Sequence, residues 1–211
     1  MGKNNILARI KQALAVETAA PTVPDRNTGS IYPARPENLV ECFRSAFEAI
    51  QGRLVYCGDE GELLSKLTDL VADRADHSVA IRSAVLAGLF TTDDLRMITL
   101  RAPADDFDAE IGITDCECLI ARTGTILMSA SQPSGRAFPV YMPIHIVIAT
   151  ADQLVYNIDD ALLQQEKALR NGAASAWYLV SGPSRTGDIE KTLVLGVHGP
   201  VEVIVFLLED R

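Results

Sequence analysis

The chain has 211 residues, 48% of them hydrophobic and 22% charged, enough for one well-buried core with an appended segment. Its formal net charge of -9 argues against a nucleic acid or an anionic membrane as partner. No apolar run reaches the ~20 residues of a membrane span, and the opening MGKNNILARI lacks the apolar segment of a secretion signal, so a cytoplasmic protein is expected.

Residues 3 to 15, KNNILARIKQALA, place Ile6, Leu7, Ile10 and Leu14 at helical spacing. Residues 16 to 36 hold four prolines among small and polar residues and read as a linker. A helical arm with its linker over 1–36 and an α/β domain over 37–211 are therefore expected. In ENLVECFRSAFEAI, the residues Leu39, Val40, Phe43, Phe47 and Ile50 share one side of a helix. RLVYCG follows as a short buried strand, and DEGELLSKLTDLVADR as a helix with Asp59 at its N-cap. HSVAIRS reads as a strand, Ser83 to Leu89 as a short helix and LRMITL as another strand. Strands alternating with helices, and apolar on both faces, indicate parallel α/β architecture.

In the second half, ECLIARTGTILMSA reads as two strands kinked at Thr123-Gly124, and HIVIATADQLVY as one strand running into the next. NIDDALLQQEKALRNG is a helix with Asp159 and Asp160 in its first turn and Gly172 beyond its end. ASAWYLVSGP and VEVIVFLLED are the remaining strands.

Cys42 and Cys57 read as small core residues. Cys116-Glu117-Cys118 offers two thiols where a closed zinc or iron–sulfur site needs three or four, so no metal or cofactor is expected on this chain.

The stretch SGPSRTGDIEKTLVLGVHGP, residues 181 to 200, concentrates the polar chemistry. A buried strand runs into it, and a helix is expected to start near Ser184 or Thr186, with Asp188 and Glu190 in its first turn. In an open α/β sheet, ligands bind at the carboxyl ends of strands beside helix N-termini. Ser184, Arg185 and Thr186 would then surround an anion. The alternative is a capped helix with Arg185 paired to an acid.

This stretch resembles the C-terminal signature of the lactate utilization protein C family, the LUD-domain proteins. GITDCECLIARTGTILMSA, residues 112 to 130, and MPIHIVIAT, residues 142 to 150, resemble its central and Pro-Pro-x-His-Ile segments. The resemblance implies a fold similar to the NagB/RpiA/CoA transferase-like group, a layered α/β domain with a mixed, mostly parallel sheet flanked by helices. It also implies a place in bacterial L-lactate oxidation to pyruvate, beside an iron–sulfur subunit and a Cys-rich one that would carry the clusters. The family commonly has a carboxylate before its Thr-Gly, where this chain has Arg122. An arginine cannot serve as an acyl-carrying nucleophile, but it suits a bidentate grip on an anion.

The resulting candidates for ligand binding are Arg122, Thr123, Gly124, Thr125, Arg136, His145, Ser184, Arg185, Thr186 and His198. His145 and Glu190 are the candidate catalytic residues, and His77 is read as structural. The leading expectation is a lactate-oxidation component that binds a small anion. The alternatives are a stand-alone enzyme on a sugar phosphate or CoA ester, and a non-catalytic assembly subunit. The N-terminal arm would serve assembly, including homo-oligomerisation.

Overall fold

The computed structural model describes residues 3–15, 32–74, 77–98, 106–170, 174–187, 193–196 and 198–209. Contacts divide the chain into two units, Met1–Ala34 and Arg35–Arg211. The first unit carries α1 (Lys3–Leu14), where the helical spacing placed it. Most of the Pro-rich linker expected after it, residues 16–31, lies outside the described residues.

The second unit starts with α2 (Leu39–Ala49), whose N-cap Asn38 accepts a hydrogen bond from the Glu41 N–H. β1 (Arg53–Cys57), α3 (Glu60–Ala72), β2 (Val79–Arg82) and α4 (Ala84–Leu89) follow. Asp59 caps α3 as its position indicated, accepting from the Glu62 N–H at 2.8 Å. In the segment read as a strand, LRMITL, the residues Leu95 to Ile98 are instead the second half of a helix, α5 (Thr92–Ile98), and the last two lie outside the described residues. Thr91 and Asp94 exchange hydrogen bonds across its first turn, and this reciprocal cap fixes helical geometry before Leu95 is reached.

β3 (Ile111–Asp115), β4 (Cys118–Ile120), β5 (Thr125–Ser129), the short α6 (Phe138–Tyr141) and β6 (Ile144–Thr150) come next. They are followed by β7 (Leu154–Val155), α7 (Ile158–Arg170) and β8 (Trp177–Val180). β9 (Arg185–Gly187), β10 (Leu193–Leu195) and β11 (Glu202–Leu208) complete the order.

The central sheet has the order β1-β11-β6-β3-β2, and all its strand pairs are parallel. A second, mixed sheet has the order β7-β4-β5-β8. Alternation along β6 sends Ile144, Ile146 and Ile148 into the core shared with α3, α4 and α5. It sends Val147 and Ala149 into a second core with α2 and the mixed sheet. Phe43 and Phe47 of α2 fill that layer, fully buried with ring centroids 5.1 Å apart. Removing each from water contributes about 2 kcal/mol. The molecule is thus layered and mostly parallel, with helices on one face and a helix and small sheet on the other.

Candidate functional site

Charged residues stand at both edges of the central sheet. At the carboxyl edge, β3 ends in Asp115, which accepts from Ser83 Oγ and from the Ala84 N–H at 2.6 Å, capping α4. Asp59 and Glu62 follow β1, Glu209 follows β11 and Asp152 follows β6. Arg82 ends β2 at this same edge, and carboxylates also stand at the amino edge, where Glu110 precedes β3 and Glu202 opens β11.

The stretch from Ser181 reaches the opposite, amino edge. The Ser184 N–H donates to the Pro200 carbonyl at 2.8 Å, and the Val201 N–H to the Pro143 carbonyl at 2.8 Å. Pro143 precedes β6, and Pro200 and Val201 precede β11. The helix expected from Ser184 or Thr186 does not form. Arg185–Gly187 is the strand β9, paired antiparallel with β10. The β-branched Thr186 stands opposite Val194, with Leu193 and Leu195 on either side, and this hairpin pairing overrides the capping pattern. Asp188 and Glu190, expected in the first turn of that helix, lie outside the described residues.

Arg185 Nη2 donates to the Ile50 carbonyl at the C-terminal end of α2, and the residue is otherwise exposed. That partner is a main-chain oxygen at a negative helix end. Thr125 Oγ1 and Ser181 Oγ lie 3.0 Å apart and tie β5 to the same stretch. Gly124 has φ +60° in the β4–β5 turn, where a Cβ would lie 2.4 Å from the Phe47 backbone nitrogen. Thr123 shares this turn and is exposed. Arg122 points elsewhere: its Nε donates to Asn157 Oδ1 at 2.6 Å, beside the start of α7.

A cleft of about 430 Å³ opens at the amino edge. Val140, Tyr141 and Pro143 form one wall, and Gly196, His198, Gly199 and Val201 the other. Gly199 rests against Ser184, whose Cβ lies 3.1 Å from where a glycine Cβ would stand. His198 is exposed. Among the described residues that line the cleft, none is a carboxylate. Arg136 is exposed one residue ahead of Ala137, the N-cap of α6, which supplies Val140 and Tyr141. Of the sequence candidates, the structure brings His198 to the cleft, Ser184 behind its wall and Arg136 to the head of a lining helix. Tyr141, Val140 and Val201 were missed, because single exposed apolar residues carry no sequence signal until the fold groups them.

His145, two residues beyond Pro143, is fully buried on the inner face of β6. Its Nε2 lies 2.8 Å from Thr114 Oγ1, and Nδ1 has no partner. Desolvation pulls its pKa down to about 4, so the ring is neutral near pH 7. It supports the cleft floor from inside rather than facing the opening. Its strand neighbour Gly112 leaves room for Met142 and Phe138, which would otherwise overlap a side chain. His77 lies just before β2 and donates its N–H to the Arg74 carbonyl at 2.8 Å.

Cys116 and Cys118 lie in different apolar clusters, on opposite sides of the chain. Burial pushes the Cys118 thiol up to about 12 and Cys57 up to about 11, and it also holds Cys116 well above the usual thiol range. None of these is a ready thiolate ligand or nucleophile.

Comparison with known proteins places these observations in a family context. The LUD domain family model matches residues 91–208, a span that contains every residue of the cleft. The chain is 26% identical over 225 residues to an uncharacterized protein of Neisseria meningitidis serogroup B, covering 98% of this chain and 93% of that one. It is 34% identical over 105 residues to lactate utilization protein C of Bacillus licheniformis, and 33% identical over 105 residues to that of Bacillus subtilis. Each of those matches covers 49% of this chain and 44% of the relative, so the chain aligns with less than half the length of these two proteins. A crystal structure of a DUF162 family protein from Deinococcus radiodurans has the same fold, with TM-score 0.55 and 21% identity over 81% of this chain and 96% of that one.

Proposed function

We propose a function from one premise: the chain belongs to the LUD domain family. It acts as a component of a lactate utilization system and binds a small anionic metabolite at the amino edge of its central sheet. One observation carries the reading. His198, an exposed histidine that the sequence nominated, lines a cleft whose described lining residues include no carboxylate, on a chain of net charge -9. The imidazole and the main-chain N–H groups of the turn from His198 to Gly199 are donors suited to a carboxylate or phosphate. Arg136, at the head of α6, adds a full positive charge nearby.

In this reading electron-transfer centres belong to iron–sulfur and Cys-rich partner subunits. The support within the chain is the thiols themselves, which are protonated and divided between separate cores. The functional test is complementation. Disrupting the gene in its host should abolish growth on L-lactate, and the wild-type chain should restore it. His198→Ala should restore it poorly at equal protein abundance. Full rescue by His198→Ala, or normal growth of the disrupted strain, contradicts the reading.

A further inference from the structure

We infer that the cleft takes a ligand in which an anionic group is joined to a planar aromatic ring, with Tyr141 as the stacking platform. This rests on the reading of the cleft as the ligand site and adds the class of ligand. Size is the first observation. At about 30 Å³ per heavy atom, by analogy with liquid water, a three-carbon hydroxy acid occupies on the order of 180 Å³. The cleft offers about 430 Å³.

The second observation is how Tyr141 is held. Its ring is 66% exposed, yet it stands edge-to-face with Phe107 at 5.7 Å and 86°. Phe107 in turn stands edge-to-face with the fully buried Phe138 at 6.2 Å and 69°. The Arg82 guanidinium lies 5.2 Å from the Phe107 centroid and 4.6 Å from that of Phe138. A ladder of rings and one cation therefore runs from the core to the cleft wall and fixes an aromatic side chain that would otherwise rotate freely in water. A fixed, exposed ring loses little further entropy when a flat group stacks on it.

The third observation is the remaining wall. Val140 is 47% and Val201 51% exposed, leaving apolar surface that a carboxylate alone does not cover but a ring does. His198 and the turn to Gly199 supply the polar end. The arrangement has an aromatic platform, aliphatic sides and an anion-binding end, and it suits a nucleoside monophosphate or an aromatic carboxylate.

The test titrates the full chain by calorimetry with two matched pairs: AMP against ribose 5-phosphate, and nicotinate against lactate. At least one ring-bearing anion should bind about tenfold more tightly than its ring-free counterpart. Tyr141→Ala should lower the affinity for that anion about tenfold, while Tyr141→Phe stays within about twofold. The Phe variant keeps the test decisive if Tyr141→Ala unfolds. Equal affinity within both pairs overturns the inference, as does unchanged binding in Tyr141→Ala, or no binding of either aromatic anion. If lactate or ribose 5-phosphate binds, weakens in His198→Ala and is indifferent to Tyr141, the ring fails while the anion site stands.

Discussion

Arg185 illustrates how one contact decides between a binding and a structural role. Its guanidinium is spent on the Ile50 carbonyl at the end of α2. Arg185→Ala should therefore lower stability by about 1 kcal/mol, the scale of one partly exposed hydrogen bond to a charged donor. Ligand affinity should stay within about twofold of wild type. The check is melting temperature and calorimetric affinity on the same variant; an unchanged melting point with a tenfold affinity loss would return Arg185 to the site. His145 makes a second residue-scale prediction. Its ring is neutral in the fold, with pKa about 4 against 6.5 when exposed. Between those values the unfolded chain binds the additional proton, so stability falls as pH drops through this window and is regained above pH 6.5. The full excursion is about 3 kcal/mol. Denaturant unfolding from pH 7 to 4 should show that loss, and His145→Gln should flatten it. A wild-type slope retained in His145→Gln would assign the effect to carboxylates instead.

At the scale of elements, the β4–β5 turn is held by backbone contact. Gly124 combines φ +60° with a Cβ position that would overlap the Phe47 backbone. Gly124→Ala should cost at least about 2 kcal/mol, measured by denaturant unfolding, since both strain and displacement of α2 are imposed. A cost below 0.5 kcal/mol, roughly that of an ordinary surface change, would mean the turn moves freely. The element readings that succeeded rest on local signals. Asp59 and Ser83 sit where caps sit, and β6 and β11 are too apolar to be anything but buried strands. The two that failed rest on ambiguous ones. LRMITL is a short, largely apolar run, but the Thr91–Asp94 cap upstream commits Leu95 to Ile98 to α5. Ser184 to Thr186 has capping residues, but a partner strand at Leu193–Leu195 makes it β9. Short apolar runs are undecided by periodicity, and a non-local strand partner is invisible in a local pattern.

At the scale of the whole molecule, the last strand, β11, lies between β1 and β6 and joins the beginning and middle of the domain. That closure involves residues ~150 apart in sequence, so composition and spacing indicated a parallel α/β core without its strand order. The edge at which the candidate site lies was hidden for the same reason. β8 pairs antiparallel to β5 in the mixed sheet, so its carboxyl end delivers Ser181 to Ser184 to the amino edge of the central one. What the sequence did carry was the list of polar residues on these loops, His198, Ser184 and Arg136 among them. The contact division at Ala34 predicts that residues 35–211 alone melt cooperatively, within a few degrees of the full chain. A broad, non-cooperative transition in that truncation would make the arm integral to the fold. No helix among the described residues is long and apolar enough to cross a membrane.

The central claim is the place of the ligand, and amide chemical-shift mapping tests it most directly. A ¹⁵N-labelled full chain is titrated with lactate, pyruvate, nicotinate and AMP. The account predicts saturable shifts concentrated on Tyr141, Gly196, His198 and Gly199 at the amino edge. Saturable shifts concentrated instead on Ser83, Ala84 and Asp115 at the carboxyl edge, or no saturable shift with any of the four, would contradict it.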